Sequence, residues 1–154
     1  MNMEDNKMER IHTSRRDFLG FGLAAMVVSA CGSCSQSGSR KPDVVVSQVK
    51  GTLRLSEADS STLLKSQAGL LVQSKDGGDK IMLVHRGDGS LFAVSAVCTH
   101  MGCEVNYDIK LGHLVCPCHK SEYGLDGQNI KGPANRPLKR YTVRTENARV
   151  VIVL

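Results

Sequence analysis

Short hydrophobic runs separated by turn-forming residues occupy most of the chain from residue 44 onward. These runs are rich in Val, Leu and Ile, and branched side chains favour the pleated surface of a β-sheet. Only segment 57–65 has a pattern that allows a helical turn or two. We therefore predict nine strands, at 44–46, 52–55, 70–73, 80–86, 90–94, 105–108, 113–116, 138–144 and 149–154.

Turn-forming residues join several of these runs into hairpins. Gly87-Asp88-Gly89 is a strong hairpin signal, since an Asp-Gly pair tolerates a positive φ. Lys110-Leu111-Gly112 and Glu146-Asn147 indicate two more hairpins. The predicted fold class is all-β, with a small antiparallel sandwich or partly closed barrel over residues 44–154.

Residues 1–30 have the pattern of an export signal, because a polar and basic stretch precedes the apolar segment Phe18–Ala30. The run from Ser14 to Leu19, Ser-Arg-Arg-Asp-Phe-Leu, indicates the twin-arginine route, which carries folded proteins with their cofactors. No apolar run approaches the ~20 residues that span a bilayer. We therefore expect either a cleaved signal peptide or a segment retained as an anchor.

The segment that follows predicts attachment to a membrane. Val28-Ser29-Ala30-Cys31 is similar to a lipobox, in which the cysteine is acylated and becomes the new N-terminus; the alternative is an ordinary cleavage site beside a cysteine. Residues 31–43 are rich in Gly and Ser and predict a flexible tether. About ten such residues reach roughly 15–20 Å.

Composition and charge predict a globular chain and argue against nucleic-acid binding. Apolar residues make up 41% of the 154 residues and charged residues 23%, which is typical of a chain with a packed core. The net charge of +5 is mild and scattered, with no basic stripe interleaved with aromatics. Nucleic-acid binding is therefore not indicated.

Four of the six cysteines fall in two short loops, 98–103 and 116–123, and each loop also carries a histidine. A structural zinc ion would bind four such groups in a tetrahedron. Pairing of all four cysteines in disulfides suits an exported protein but gives the histidines no role. A 2Fe–2S cluster with thiolates on one iron and imidazoles on the other would use one Cys and one His from each loop. Twin-arginine export favours the cluster, which must be assembled where cysteines stay reduced.

These two loops resemble the two boxes of the Rieske iron–sulfur proteins, Cys-Thr-His-x-Gly-Cys and Cys-Pro-Cys-His-x-Ser-x-Tyr, and the resemblance extends over about 44–154. It implies that Cys98 and Cys116 bind one iron and that His100 and His119 bind the other through Nδ1. It also implies a disulfide that joins the loops and a proline loop that covers the remaining side of the cluster. The disulfide would pair Cys103 with Cys118. The proline loop would be Gly132-Pro133-Ala134-Asn135-Arg136-Pro137-Leu138.

Two further residues of the second loop indicate which kind of Rieske protein this chain resembles. By the resemblance, Ser121 donates a hydrogen bond to a bridging sulfide and Tyr123 donates one to a ligating sulfur. Such donors favour the more negative, reduced cluster and raise its potential. Ser121, Tyr123 and the expected disulfide together resemble the high-potential Rieske proteins of quinol-oxidising cytochrome bc and bf complexes. Lys120 departs from the pattern, since those proteins usually have Gly there.

The resemblance implies a membrane-anchored electron carrier on the periplasmic face, not a complete enzyme by itself. His119 would take the catalytic role, with its Nε2 accepting a proton from quinol, and the electron would pass to a c-type cytochrome. A cytochrome b-type membrane subunit is the expected partner. One alternative is the Rieske subunit of a periplasmic oxidoreductase such as arsenite oxidase, which usually has a Phe-type residue at the position of Tyr123. Another is a zinc- or disulfide-stabilised surface lipoprotein without redox function.

Overall fold

The computed structural model describes residues 40–154. The predicted export segment 1–30, the predicted acylation site Cys31 and the tether up to residue 39 lie outside the described residues. Within the described range, no helix has both the length and the hydropathy that a membrane span requires.

Twelve strands and one helix make up this part of the chain. In chain order they are β1 (Val44–Val46), β2 (Gln48–Val49), β3 (Thr52–Arg54), α1 (Glu57–Lys65), β4 (Ala68–Ser74), β5 (Lys80–His85), β6 (Leu91–Ser95), β7 (Asn106–Asp108), β8 (His113–Val115), β9 (Glu122–Tyr123), β10 (Asn129–Lys131), β11 (Arg140–Glu146) and β12 (Arg149–Val153). The all-β fold class is confirmed, and all nine predicted strands are present within a few residues of their expected ends.

Eight strands form one sheet in the order β1-β4-β5-β6-β11-β12-β3-β2, and this sheet curls into a nearly closed barrel. All of its pairs are antiparallel except β1 with β4, which run parallel in the register Val44 with Val72. This one pair departs from the predicted antiparallel arrangement. The chain between β1 and β4 passes through β2, β3 and α1, which gives it the length to return in the same direction.

Four strands form a second, smaller sheet in the order β10-β9-β8-β7. The first cysteine loop connects β6 to β7, and the second connects β8 to β9. This sheet therefore places the far end of the first loop and both ends of the second. Strands β2, β9 and β10 were not predicted, because these segments of two or three residues lack the run of branched apolar residues that indicated the equally short β1.

Backbone conformation at the turns explains where the hairpins close. Gly89 has a φ of 85°, as the sequence predicted for its turn, and Gly112, in the second predicted hairpin, has a φ of 70°. The last hairpin turns at Asn147 and Ala148, with φ values of 47° and 61°, one residue later than predicted. Strand β11 extends through Glu146, whose carboxylate bonds Arg54 and Arg144 at 2.8 and 2.7 Å.

The helix α1 packs on the sheet at a distance from the cysteine loops. Its N-cap is Ser56, whose hydroxyl accepts the backbone N–H of Asp59. Leu63 is fully buried, and the buried Ser60 hydroxyl accepts the backbone N–H of Val150 on β12 at 3.0 Å. The helix thus packs against β12 and β4 of the eight-stranded sheet.

Strand β5 lies between two hydrophobic cores, because its side chains alternate between them. Met82 and Val84 belong to the first core, and Ile81 and Leu83 belong to the second. The first core also contains Cys98, Cys116 and Tyr123, together with Leu71, Val94, Leu114 and Leu138. The side chains of these two cysteines and of Tyr123 are therefore part of the packed interior.

Candidate functional site

The two cysteine loops close through the same pair of backbone hydrogen bonds. In the first loop, Cys98 N–H donates to Cys103 O at 2.8 Å and Gly102 N–H donates to Cys98 O at 2.9 Å. In the second, Cys116 N–H donates to Ser121 O at 2.8 Å and Lys120 N–H donates to Cys116 O at 3.0 Å. Each loop therefore wraps its chain around the cysteine at its start.

The fourth residue after that cysteine adopts the left-handed conformation in both loops. Gly102 has φ 74° and Lys120 has φ 59°. Glycine takes this conformation without strain, whereas for a residue with a Cβ the left-handed conformation costs about 1–2 kcal/mol of conformational energy. The matching geometry explains why Gly is the usual residue at the position of Lys120, and it shows that this chain keeps a strained lysine there.

A disulfide between Cys103 and Cys118 joins the two loops, with an Sγ–Sγ distance of 2.10 Å. This confirms the pairing that the resemblance implied. The Sγ atoms of Cys103, Cys116 and Cys118 all lie within 4.8 Å of one another. Two of these three sulfurs are bonded to each other and so cannot act as thiolate ligands. The thiols left free in the described part of the chain are those of Cys98 and Cys116.

The free thiols lie in the interior, and the histidine rings lie at the surface. Cys98 and Cys116 are 2% and 1% exposed, whereas His100 and His119 are exposed. The two imidazole rings meet edge to face, with centroids 4.8 Å apart. The loops therefore bring two sulfur donors together in the interior and two nitrogen donors together at the surface.

The two buried thiols differ in how readily they ionise. Burial raises the pKa of the Cys98 thiol, but hydrogen bonds from Tyr123 and from the His100 backbone outweigh burial and leave that pKa below its ordinary value. Burial, reinforced by the bond to Cys98, raises the pKa of Cys116. Cys98 is therefore the first of the pair to become a thiolate, the form that binds metal.

Tyr123 is fully buried, and its hydroxyl lies 3.2 Å from Cys98 Sγ. The same oxygen accepts the backbone N–H of Thr99 at 3.2 Å and lies 3.1 Å from Thr99 Oγ1. Burial, and then the bond to Cys98, raises the pKa of Tyr123, so its proton stays available for donation. The Tyr123 hydroxyl can donate to Cys98 Sγ or to Thr99 Oγ1, and a charged sulfur is the stronger acceptor of the two. The geometry thus places a hydrogen-bond donor on one of the candidate ligating sulfurs.

The proline loop binds both cysteine loops. Thr99 Oγ1 donates to Arg136 O at 2.7 Å, and the buried Ser121 hydroxyl accepts the Ala134 N–H at 3.2 Å. This bond leaves the hydroxyl proton of Ser121 for a second partner. At Gly132, with φ 97°, an added Cβ would lie 2.6 Å from Ser121 Cα, which leaves no room for a larger residue. Sequence patterns did not reveal the roles of Thr99 and Gly132, because both depend on contacts that distant segments make.

The donor set fits a 2Fe–2S cluster bound by two sulfurs and two nitrogens. Soft thiolates bind iron–sulfur clusters, and burial shields them from solvent. Imidazoles at the surface suit an iron on the outer side of such a cluster. Two buried thiols and two exposed imidazoles, on loops joined by a disulfide, are the kinds of donor that an iron–sulfur protein with mixed ligands requires.

Comparison with known proteins identifies the family. The model of the Rieske [2Fe-2S] domain matches residues 57–142, and the chain belongs to this family, whose cofactor is a 2Fe–2S cluster. The cytochrome b6-f complex iron-sulfur subunit of Chlorobaculum tepidum is 45% identical over 84 residues, which cover 54% of this chain and 45% of that protein. The subunit of the same name from a Prochlorococcus marinus strain is 37% identical over 93 residues, which cover 58% and 52%. The chain thus aligns with about half the length of these relatives.

Solved structures agree with this assignment. The cyanobacterial plasma membrane Rieske protein PetC3 of Synechocystis matches with a TM-score of 0.54 and 32% identity, over 60% of this chain and 93% of that one. The ferredoxin of carbazole 1,9a-dioxygenase from Nocardioides aromaticivorans matches with a TM-score of 0.54 at 22% identity, over 66% and 96%, which shows the fold alone. This chain is a Rieske protein homologous to cytochrome b6-f iron–sulfur subunits.

We predict that Tyr123→Phe destabilises the protein and lowers its reduction potential. The change removes the donor to Cys98 Sγ and leaves the Thr99 N–H without its acceptor, at a cost of about 1–3 kcal/mol in unfolding free energy. Loss of about 1 kcal/mol of preference for the reduced state corresponds to about 40 mV. Thermal unfolding and potentiometric titration measure the two effects. Tyr107→Phe, on β7, is the control, and an unchanged potential in Tyr123→Phe would show that the contact does not reach the cluster.

Proposed function

We propose that this chain is a membrane-anchored Rieske subunit that takes an electron from quinol and passes it to a c-type cytochrome, within a complex of the quinol–cytochrome c reductase type. Cys98 and Cys116 bind one iron of its cluster, and His100 and His119 bind the other. The single observation that carries the proposal is the pairing of two buried thiols with two exposed imidazoles, held together by the Cys103–Cys118 disulfide.

The residues around the sulfurs support a cluster of high potential. When bound, the cluster supplies one-electron chemistry and becomes more negative by one charge on reduction. The Tyr123 hydroxyl lies 3.2 Å from Cys98 Sγ, and Ser121, already bonded to the Ala134 N–H, would have its hydroxyl proton free to donate to a sulfide of the bound cluster. Donors to sulfur stabilise the more negative state. The hydroxyls of Ser121 and Tyr123 therefore make the site a good electron acceptor.

His119 handles the proton that quinol must lose. Its ring is exposed at the end of the second loop and stacks edge to face against His100. If Nδ1 of His119 held the iron, its Nε2 would remain free to accept a hydrogen bond and then a proton from the quinol hydroxyl. A histidine suits this step because its ordinary pKa lies near neutral pH.

The relatives support a cytochrome-complex setting. The Chlorobaculum and Prochlorococcus relatives, at 45% and 37% identity, are iron–sulfur subunits of cytochrome b6-f complexes. A cytochrome b-type membrane subunit is accordingly the partner that we propose. The chain carries the electron between partners and is a component of the enzyme, not a complete enzyme alone.

We further propose that the chain is exported by the twin-arginine route and held at the periplasmic face by acylation of Cys31. The pattern of residues 1–30 and the Ser-Ala-Cys at 29–31 support this. Mass spectrometry of the mature chain is expected to find an N-terminal peptide that begins with a lipid-modified Cys31. A mature N-terminus at any other residue, or an intact residue 1–30 segment, would contradict lipid anchoring.

We predict that replacing either histidine ligand abolishes the cluster. His100→Ala and His119→Ala each remove one of two nitrogen donors, so iron and the visible absorption of the purified protein are expected to fall to background. His113→Gln is the matched control, since His113 lies on β8 and pairs with Glu122 at 3.3 Å. Iron and zinc analysis on folded protein, checked by circular dichroism, measures the outcome. A colourless wild-type protein that holds zinc would instead support the zinc lipoprotein.

We predict that quinol reduces the cluster in membranes that contain the whole complex. Reduction is expected to give an electron paramagnetic resonance signal with an average g below 2, followed by reduction of c-type haem. Arsenite is added in a parallel sample as the alternative donor. A signal that arsenite produces and quinol does not would replace our proposal with the arsenite-oxidase type of function.

A further inference from the structure

The strained residue Lys120 stands at a position where packing does not require a lysine. Its backbone N–H closes the second loop, and its left-handed φ of 59° matches that of Gly102 in the first loop. Its side chain is exposed and belongs to neither hydrophobic core. Strain that packing does not explain, next to a functional residue such as His119, indicates that the side chain itself has a use.

The side chain of Lys120 borders an open cavity of about 500 Å³ between the second loop and the β7–β8 turn. Ile109, Lys110 and Pro117 line the same cavity, and Ile109 is 51% exposed. We call the surface formed by Ile109, Lys110, Pro117 and Lys120 the Lys120 face. It combines exposed apolar surface with two cations, and Lys120 directly follows the exposed His119 in the second loop.

The charge of this face is not neutralised from within the domain. Glu122, which lies opposite the cavity-lining Val115 on the neighbouring strand, pairs with His113 and Lys131. Within residues 40–154, no ion pair includes Lys110 or Lys120.

Asp108 also lines the cavity, so the local sum is two positive charges against one negative. Its carboxylate accepts the backbone N–H groups of Lys110 and Leu111, at 2.9 and 3.1 Å. That oxygen is thereby turned toward its own loop. The Lys120 face keeps a net positive charge available to a partner.

We propose that the Lys120 face docks an acidic protein surface, belonging to the protein that receives the electron. This docking rests on the proposed function, because a partner that docks on the second loop gains an electron-transfer contact only if that loop holds the cluster. Cations around a small apolar patch steer an acidic partner and release it quickly, as a shuttling carrier needs. An anionic membrane is the less favoured occupant, since its recognition takes clusters of about 4–8 Lys or Arg and this face has two.

Lys50 provides a closely matched control for the charge and the backbone of Lys120. It is also an exposed lysine with a left-handed φ, in its case 48°, and it lies in the turn between β2 and β3. Those strands are at the edge of the eight-stranded sheet, away from both cysteine loops in the strand order. The same substitution at either position removes the same charge from the same backbone conformation.

The test measures binding of the full-length, cluster-loaded chain to an acidic c-type cytochrome and to a basic one, by calorimetry at low and at physiological ionic strength. We expect selective binding of the acidic cytochrome that weakens with salt. Lys120→Glu is expected to raise its Kd about 5- to 10-fold, since each step of charge at an exposed pair contributes roughly 1.5- to 5-fold. Lys120→Gln is expected to be intermediate, and Lys50→Glu is expected to change Kd less than about 2-fold.

Three outcomes would overturn the proposal. The first is an equal Kd for Lys120→Glu and Lys50→Glu. The second is equal binding of the acidic and the basic cytochrome. The third is an affinity for vesicles of phosphatidylcholine with one-third phosphatidylglycerol that depends on Lys120, when affinity for the cytochrome does not. Lys120→Gly separates strain from charge, because it should weaken binding without lowering the thermal midpoint. Binding is measured without electron transfer, so failure of the quinol assay would not change the binding result. Conversely, loss of binding selectivity would overturn the docking proposal for the Lys120 face and leave the proposed function untouched.

Discussion

Backbone closure of two short loops around Cys98 and Cys116 is the constraint on which the rest of the site depends. Each cysteine donates its N–H to a carbonyl five residues later and accepts an N–H from the residue four positions later. These bonds hold each sulfur under the loop while the histidine in the same loop stays at the surface. The Cys103–Cys118 disulfide then fixes the two loops against each other. The two free thiols thus lie in the interior beneath the loops, and the two imidazole rings meet at the surface.

The surrounding fold serves this arrangement in two ways. The four-stranded sheet anchors both ends of the second loop through β8 and β9, and the first core encloses the sulfurs. The proline loop is hydrogen-bonded to both cysteine loops, through Thr99 in the first and Ser121 in the second. The hydroxyl of Tyr123 connects the buried core to the sulfur of Cys98. Ligand position and sulfur electrostatics therefore depend on the same few contacts.

Local patterns in the sequence predicted the parts of the fold that local chemistry determines. The Gly87-Asp88-Gly89 turn and the hydrophobic runs on either side were enough to predict the β5–β6 hairpin, with Gly89 in the positive-φ conformation. The parallel pairing of β1 with β4 and the two-residue strand β9 were not predictable in this way. Strand partners depend on the global path of the chain, and Glu122–Tyr123 is too short to show periodicity.

At the site, the motifs predicted the chemistry, and the fold supplied the supporting contacts. The spacing of the two loops pointed to the cofactor, and the structure confirms the disulfide between Cys103 and Cys118. The contact of Tyr123 with Cys98 is also as expected. By contrast, the hydrogen bond from Thr99 to the proline loop joins residues 37 positions apart, and no sequence pattern encodes it. The four ligands themselves remain a prediction.

Mössbauer spectroscopy of the reduced protein loaded with ⁵⁷Fe tests the central claim most directly, because it reports the environment of each iron separately. Two thiolates on one iron and two imidazoles on the other predict two unequal iron sites, with the added electron on the iron that the histidines bind. Two equivalent irons, or a pair whose spectra fit all-sulfur ligation, would contradict ligation by His100 and His119.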